Sequence, residues 1–326
     1  MSYHEKIRVG VLRGGPSSEY EISLKTGAAV LSNLPERYHP IDIFIDRSGA
    51  WHLQGKAEEP HKIFGRIDVA LNALHGEYGE DGQVQHLLET HCVPFSGSRR
   101  VASALAMNKT LAKRILAAHG LKTPHGKVLR REDIGDFHDE ARELYRSFPQ
   151  PSVIKPVARG TSVGVSLART PEEIAYALDL AFFCDDAVLV EEYVNGVEVV
   201  GGVVERFRGA ALYHLLPVEV MRPSGVGFLD YQTRVTGTVR SRVPAGVSRA
   251  ASADIQRLSE TAHCALGLRH YSTADFIIHP KRGMYLLEID ALPALSEHSP
   301  LAVSLEAVGA PLSQFLDHIL SCALQK

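Results

Sequence analysis

The sequence predicts an α/β fold, on three observations. An apolar run, Ile7 to Leu12, leads into a glycine pair and then a helix-period pattern, the strand–loop–helix opening of an α/β layer. Strand-like and helix-like segments continue to alternate along the chain. The composition, 45% hydrophobic and 22% charged over 326 residues, is that of a folded protein of two or three domains.

The elements follow in order. After the first strand comes Gly14-Gly15-Pro16-Ser17-Ser18, with Ser17 or Ser18 as the expected N-cap of a helix carrying Ile22, Leu24, Ala28 and Leu31. Glu19 and Glu21 then fall in the first turn, where acids suit the helix dipole. Strands are predicted at Pro40–Ile45 and Asp68–Leu74, the latter ending in the polar loop His75-Gly76-Glu77-Tyr78-Gly79-Glu80-Asp81-Gly82, followed by a helix over Gln83–Thr90. A smaller segment, 101–186, has helices at Lys109–Ala118, Asp133–Arg146 and Pro171–Phe182 and strands at Ser152–Pro156 and Val163–Leu167. The last segment opens on the apolar run Ala187–Val190. Strands follow near Glu198–Val204 and Ala210–Leu215, then an irregular stretch from Met221 to Arg242 of the kind that forms lids and binding loops. A helix at Ala251–Leu266, strands at Thr273–Ile278 and Met284–Ile289 and a helix at Leu312–Leu324 complete the chain.

The formal charge of −3 argues against nucleic acid or an acidic membrane as partner, and no apolar run is long enough to span a bilayer. The N-terminus has no apolar signal region, and Cys92, Cys184, Cys264 and Cys322 form no CxxC pair. The expectation is a cytoplasmic protein with four reduced thiols.

Several constellations carry chemistry. Asp275 in ADFII and Glu288 and Asp290 in YLLEID lie on two late strands joined by a short turn, which could bring three carboxylates to one face. Such a group either holds a hard divalent cation beside phosphate oxygens or is a set of solvated strand acids. Lys155, at the end of the strand VIKP and before the small polar loop Val157–Ser162, could hold a phosphate as a point charge, although no GxxxxGK[ST] loop is present. The run Glu191–Glu198 could offer backbone groups to an adenine edge and Glu198 to ribose hydroxyls, or be a charged connector. Glu19 and His75 both follow strand ends, where a carboxylate could take a substrate ammonium and a histidine is as readily structural.

The order of these motifs is more specific than any one of them. GGPSSEYEISL, LHGEYGEDG, MNKTLAK, VIKPVARGTSVGV, EEYVNGVE, DYQTRV, ADF and LLEIDALPALSEHS run in the sequence of the D-alanine–D-alanine ligase family, within the ATP-grasp superfamily. The chain resembles that family over essentially its whole length. The resemblance implies three α/β domains: a Rossmann-like one over 1–100, a central one over 101–186 and a C-terminal one with the metal site over 187–326. It implies ATP held between the second and third, Mg²⁺ (or Mn²⁺), D-alanine as substrate, a homodimer, and synthesis of D-alanyl-D-alanine for peptidoglycan through an acylphosphate. By motif match, Lys109 and Lys155 resemble the ATP-phosphate lysines, Glu191 and Val194 the adenine contacts and Glu198 the ribose acid. Asp275, Glu288 and Asp290 occupy the metal positions. Glu19 and His75 fall in the first-substrate pocket, Thr161 at the loop serine linked to Glu19, and Ser299 at the serine that holds the second substrate's carboxylate.

Departures from the family pattern accompany the matches. The Arg usual two residues before the first metal aspartate is Thr273, the metal-binding Asn is Asp290, the oxyanion-hole Gly is Ala294, and the Lys-Tyr of the large loop is Arg234-Val235. The first two make the reaction centre more negative than the pattern. They motivate alternatives to a D-alanyl-D-alanine ligase: a different second substrate, or an impaired nucleotide-binding homologue.

Overall fold

The computed structural model describes residues 6–160, 163–222 and 240–325. Thr161, Arg234 and Val235 therefore lie outside the described residues.

Three sheets make up the described chain. The first has strands β1 (Ile7–Gly14), β2 (Tyr38–Ile45), β3 (Trp51–Leu53), β4 (Lys56–Ala57) and β5 (Val69–Asn72) in the order β4-β3-β2-β1-β5. β1 runs parallel to both β2 and β5, so the loops after β1 and β5 open at the same edge. Those loops carry Glu19 and His75. Helices α1 (Tyr20–Asn33), α2 (Pro60–Phe64) and α3 (Gln83–Thr90) belong to this part, and α4 (Arg100–Met107) and α5 (Lys109–Ala118) lead out of it. The second sheet is antiparallel: β6 (Gly126–Arg130), β7 (Ser152–Pro156), β8 (Ser166–Ala168) and β9 (Ala187–Glu192), in the order β6-β9-β7-β8, with α6 (Phe137–Ser147) and α7 (Pro171–Cys184). The third has β10 (Val197–Glu205), β11 (Leu212–His214), β12 (Val218–Met221), β13 (Arg240–Arg242), β14 (Tyr271–His279) and β15 (Gly283–Asp290). Its order is β13-β12-β10-β14-β15, with β11 also on β10. Helix α8 (Arg249–Ala265) lies between β13 and β14, and α9 (Pro300–Ala307) and α10 (Leu312–Leu324) follow β15.

Three expectations are corrected. The strand at Ala187, expected to open the last segment, pairs with β6 and β7 and so completes the second sheet. The strand expected at Val163–Leu167 begins only at Ser166, because Gly164 has φ +69° and Gly160 accepts the Val163 N–H, which keeps the preceding residues in a turn. Glu19, not Ser17 or Ser18, stands at the N-cap of α1. The Ser17 hydroxyl instead accepts the Glu19 N–H at 2.9 Å, a local turn that leaves the Glu19 side chain for the interior.

The cores show how the parts are joined. Val9, Val11, Val69 and Leu71 of the first sheet share one apolar cluster with Tyr271, Leu292, Leu305, Phe315 and Ile319. The Tyr271 and Phe315 rings meet edge-on with centroids 5.2 Å apart. Helices α4 and α5 pack with α8 on β14 and β15 through Ala102, Ala106, Leu116, Ile255 and Phe276. Among the described residues, no helix is long and apolar enough to cross a membrane, and all four cysteines are free.

A polar clamp reinforces the first junction. The Gly97 N–H donates to His270 Nδ1 at 3.1 Å, and Arg269 donates to the carbonyls of Gly97 and Phe95. His270 must be neutral at Nδ1 to accept, and burial together with Arg269 pushes its pKa down to about 3. Its φ of +68° lies in the left-handed region, which asparagine tolerates. A depressed histidine pKa gives stability that is complete above the unfolded value near 6.5 and is lost as pH falls toward the folded value. His270→Asn keeps an acceptor without the titration. The stability of the native protein relative to H270N is therefore expected to fall by about 1.4 kcal/mol per pH unit between about 6 and 3, measured by denaturant titration. Parallel pH curves would contradict the clamp.

Candidate active site

Buried charge marks the place where the second and third sheets face each other. Lys109 begins α5 and Lys113 lies one turn on, so both project from one helix face, and both are less than a tenth exposed. Asn108 caps this helix, its side chain accepting the Leu111 N–H at 3.0 Å. Lys155 comes from β7 and Glu191 from the adjacent β9, where Glu191 registers opposite Val153, two residues from Lys155. Glu191 is 2% exposed and paired with both Lys155, at 2.6 Å, and Lys113. Burial opposes its charge, but the two ammonium groups outweigh that and lower its pKa. Burial pushes Lys113 down to about 7, against the pull of Glu191, while the Glu191 and Glu288 charges hold Lys155 up despite its burial.

The third sheet supplies the acids. In the β14–β15 ladder Asp275 stands opposite Glu288, and Thr273 opposite Asp290. Antiparallel register therefore puts all four side chains on one face. Glu288 reaches Lys109, with Nζ 3.3 Å from its carboxylate, and Lys109 also donates to the Arg159 carbonyl. Asp290, on that face, is held locally: its Oδ1 accepts the Leu292 N–H at 2.8 Å. Burial, then Glu80 and Glu19, hold its pKa well above the usual carboxylate value, with His75 pulling the other way. The three sequence-predicted metal carboxylates thus divide into a facing pair, Asp275 and Glu288, and a neighbour turned toward the first sheet. Among the described residues no group of three His, Cys, Asp or Glu converges as a ready metal cage. A facing pair of hard oxygen donors is nevertheless what Mg²⁺ takes when phosphate oxygens and water complete its shell, so Asp275 and Glu288 fit that ion.

An apolar slot adjoins these charges, lined by Val153, Val194, Ile277 and Leu287 and ending at Glu198 and Arg222. Val194 is buried against Ile277 and Tyr285. Glu198, predicted as a ribose acid, is paired with Arg222 at 2.9 Å, and Arg222 also donates to the Tyr193 hydroxyl.

On the other side of Lys109 lies a pocket from the first sheet. Glu19 is 5% exposed, and its carboxylate packs between Gly76 of the β5 loop and Gly160 of the β7–β8 loop, where a Cβ at either glycine would meet it. His75 is buried with both ring nitrogens engaged, Nε2 with Thr26 Oγ1 at 2.8 Å and Nδ1 with Glu80 at 3.2 Å. Burial holds its pKa below the ordinary value, against the carboxylates of Glu19 and Asp290. Burial also pushes Glu80 up to about 7. Ser299 is the N-cap of α9, accepting the Ala302 N–H at 3.3 Å, with Pro300 next. Ala294 does not have a positive φ, so its Cβ carries no backbone strain.

Lys113, Glu80 and Arg222 were not singled out from sequence. Lys113 carries a signal, its i,i+4 spacing from Lys109, and Glu80 lies within the polar loop that begins at His75, whose ring and the Gly76 N–H it engages; Arg222 becomes visible only through its contacts with Tyr193 and Glu198.

Comparisons with known proteins identify the family and the fold. The family model described as D-ala D-ala ligase C-terminus matches residues 115–321, and that described as D-ala D-ala ligase N-terminus matches residues 8–64 and 54–98. A D-alanine--D-alanine ligase of Geobacter sulfurreducens is 37% identical over 324 residues, covering 97% of this chain and 94% of its own. The crystal structure of D-alanyl-alanine synthetase A from Vibrio cholerae superposes with a TM-score of 0.84 at 26% identity, covering 98% of this chain and 99% of that one. A D-alanine--D-alanine ligase from Bacillus anthracis, complexed with ATP, superposes with a TM-score of 0.78 at 27% identity, covering 98% of each chain.

The buried charges make a stability prediction. Glu191→Leu leaves two buried ammonium groups without their counter-ion and is expected to cost about 3–5 kcal/mol. Lys113→Met leaves Glu191 paired with Lys155 and should cost clearly less. Denaturant unfolding of both variants checks the order; equal losses would contradict the pairing.

Proposed function

The chain belongs to the D-ala D-ala ligase family, and on that premise we propose that it joins two D-alanines into D-alanyl-D-alanine at the expense of ATP. The observation that carries the reading is the convergence of Lys109 and Lys155 on Glu288 and Glu191, with Asp275 opposite Glu288 and the Glu19 pocket directly behind.

The residues divide the work by position. The apolar slot beside Val194 accepts the adenine ring, and Glu198, held by Arg222, meets the ribose. Lys109 and Lys155 bring two positive charges to the terminal phosphates, and their present carboxylate partners keep them oriented before substrate arrives. Asp275 and Glu288, with Asp290 adjacent, would hold Mg²⁺, which when bound neutralises phosphate charge and polarises the transferring group. Glu19 takes the ammonium of the first D-alanine, and His75, fixed by Thr26 and Glu80, walls that pocket. The first carboxylate attacks the γ-phosphorus and ADP leaves. The amine of the second D-alanine then attacks the acyl carbon, phosphate departs and the peptide bond forms. Ser299 and the open N-terminus of α9 receive the second carboxylate. The Ala294 N–H faces the developing oxyanion, and its ordinary backbone makes it a mild departure. Thr273 is the severe one, since a lost donor at such a centre typically costs about 10²–10³ in rate.

Phosphate release in the presence of ATP, Mg²⁺ and D-alanine, with the dipeptide identified by mass spectrometry, tests the function. No amino-acid-dependent phosphate from any D-amino acid would overturn it. Thr273→Arg should raise the rate, by up to about 10². An unchanged rate would show that another cation already fills the role. Gly160→Ala would press a Cβ on the buried Glu19 carboxylate and should weaken D-alanine saturation by about tenfold, with saturation by ATP measured as the control.

A further inference from the structure

Arg159 joins the two halves of the site. It lies in the β7–β8 loop just before Gly160, the glycine that lies against the Glu19 carboxylate. Its backbone carbonyl accepts from Lys109, the lysine on Glu288. Its Nε donates to the Cys184 carbonyl at 2.7 Å, at the end of α7, so the side chain is tied at its base. Its guanidinium then reaches out of the second sheet's part of the chain and pairs with Glu77, in the β5 loop of the first sheet. Glu77 directly follows Gly76, the other glycine against Glu19. The pair therefore spans the two loops that enclose Glu19, one residue from each contact.

Position and burial separate this from an incidental surface pair. The side chains are about a third and a fifth exposed, at 32% for Arg159 and 22% for Glu77. The second Glu77 oxygen is buried and, among the described residues, has no hydrogen-bond partner. A carboxylate so placed depends on its cation: removing that cation leaves a desolvated charge rather than a solvated one. The loop bearing Arg159 is otherwise anchored on its own side, with the Ala158 N–H donating to Asp185 at 2.8 Å, so the ion pair is the charged link across the gap among the described residues.

We infer that the Arg159–Glu77 ion pair is a latch that holds the Gly160 loop closed against the first-sheet loop over the first amino-acid pocket, making both residues positioning residues for the first D-alanine and barriers to water. This rests on the ligase reading. An open latch would let water reach the acylphosphate. Attack of water on its acyl carbon breaks the carbon–oxygen bond to phosphate and returns D-alanine and phosphate, spending ATP without forming a peptide.

The test uses the full-length enzyme with ATP, Mg²⁺ and D-alanine, and measures phosphate and dipeptide separately. Native enzyme is expected to release one phosphate per dipeptide. Glu77→Gln and Arg159→Ala should each raise the phosphate-to-dipeptide ratio several-fold. They should also raise the D-alanine concentration needed for half saturation about tenfold, with the KM for ATP within about twofold. A merely destabilised protein would lose both products in proportion and keep the ratio at one. The doubly reversed variant, E77R with R159E, should bring the ratio back toward one, and Arg159→Lys should lie between. A ratio of one in both single variants, or no recovery in the double reversal, overturns the latch. Absence of D-alanine-dependent phosphate from the native enzyme would instead overturn the ligase reading itself.

Discussion

A carboxylate can remain charged in a protein interior only if cations meet it there, and Glu191 imposes that condition on the centre of this molecule. It is buried between Lys113 and Lys155, and the three come from α5, β7 and β9. Those elements must meet with small error, because a buried ion pair is net favourable only when its geometry is good. The consequence extends outward. Fixing α5 fixes Lys109, Lys109 engages Glu288 and the Arg159 carbonyl, and Arg159 engages Glu77. A chain of alternating charge thus runs from the apolar slot to the Glu19 pocket, and the first sheet is brought to its end by a shared apolar core.

The same alternation bears on the departures in the reaction centre. Thr273 and Asp290 face each other on one rung of the β14–β15 ladder, so the lost cation and the added acid are a single local change. Asp290 sits among Glu80, Glu19 and His75, where burial and like charges disfavour its ionised form. Thr273 itself is buried, 6% exposed, so the rung offers no cation opposite Asp290.

Much of the fold was legible because strands and helices here keep their hydrophobic periods: β1, β2, α3, α5, β7, α8 and α10 lie close to where spacing placed them. The failures have local causes. The short strands β3, β4 and β13 have too few residues for a pattern to emerge, and β6 is exposed at four of its five positions, so burial left little trace in its sequence. β9 looked like the start of a new segment because sequence order says nothing about which sheet a strand joins. Within the site, Asp275 opposite Glu288 followed from two strands and a short turn. The pairing of Glu191 with two lysines did not, since an acid on a strand reads equally as a surface residue until its neighbours are known. Glu198, legible as an acid at the slot's end, proved to be coupled to Arg222, far away in sequence.

On the proposed function, these charges surround the outer phosphates of ATP. A crystal structure with a non-hydrolysable ATP analogue and Mg²⁺ tests it most directly. The expected result is terminal phosphate oxygens within hydrogen-bond reach of Lys109 Nζ and Lys155 Nζ, and a metal ion between them and Asp275 and Glu288. A nucleotide seated elsewhere, or phosphates with both lysines still locked on Glu191 and Glu288 and no ion between the facing carboxylates, would contradict it.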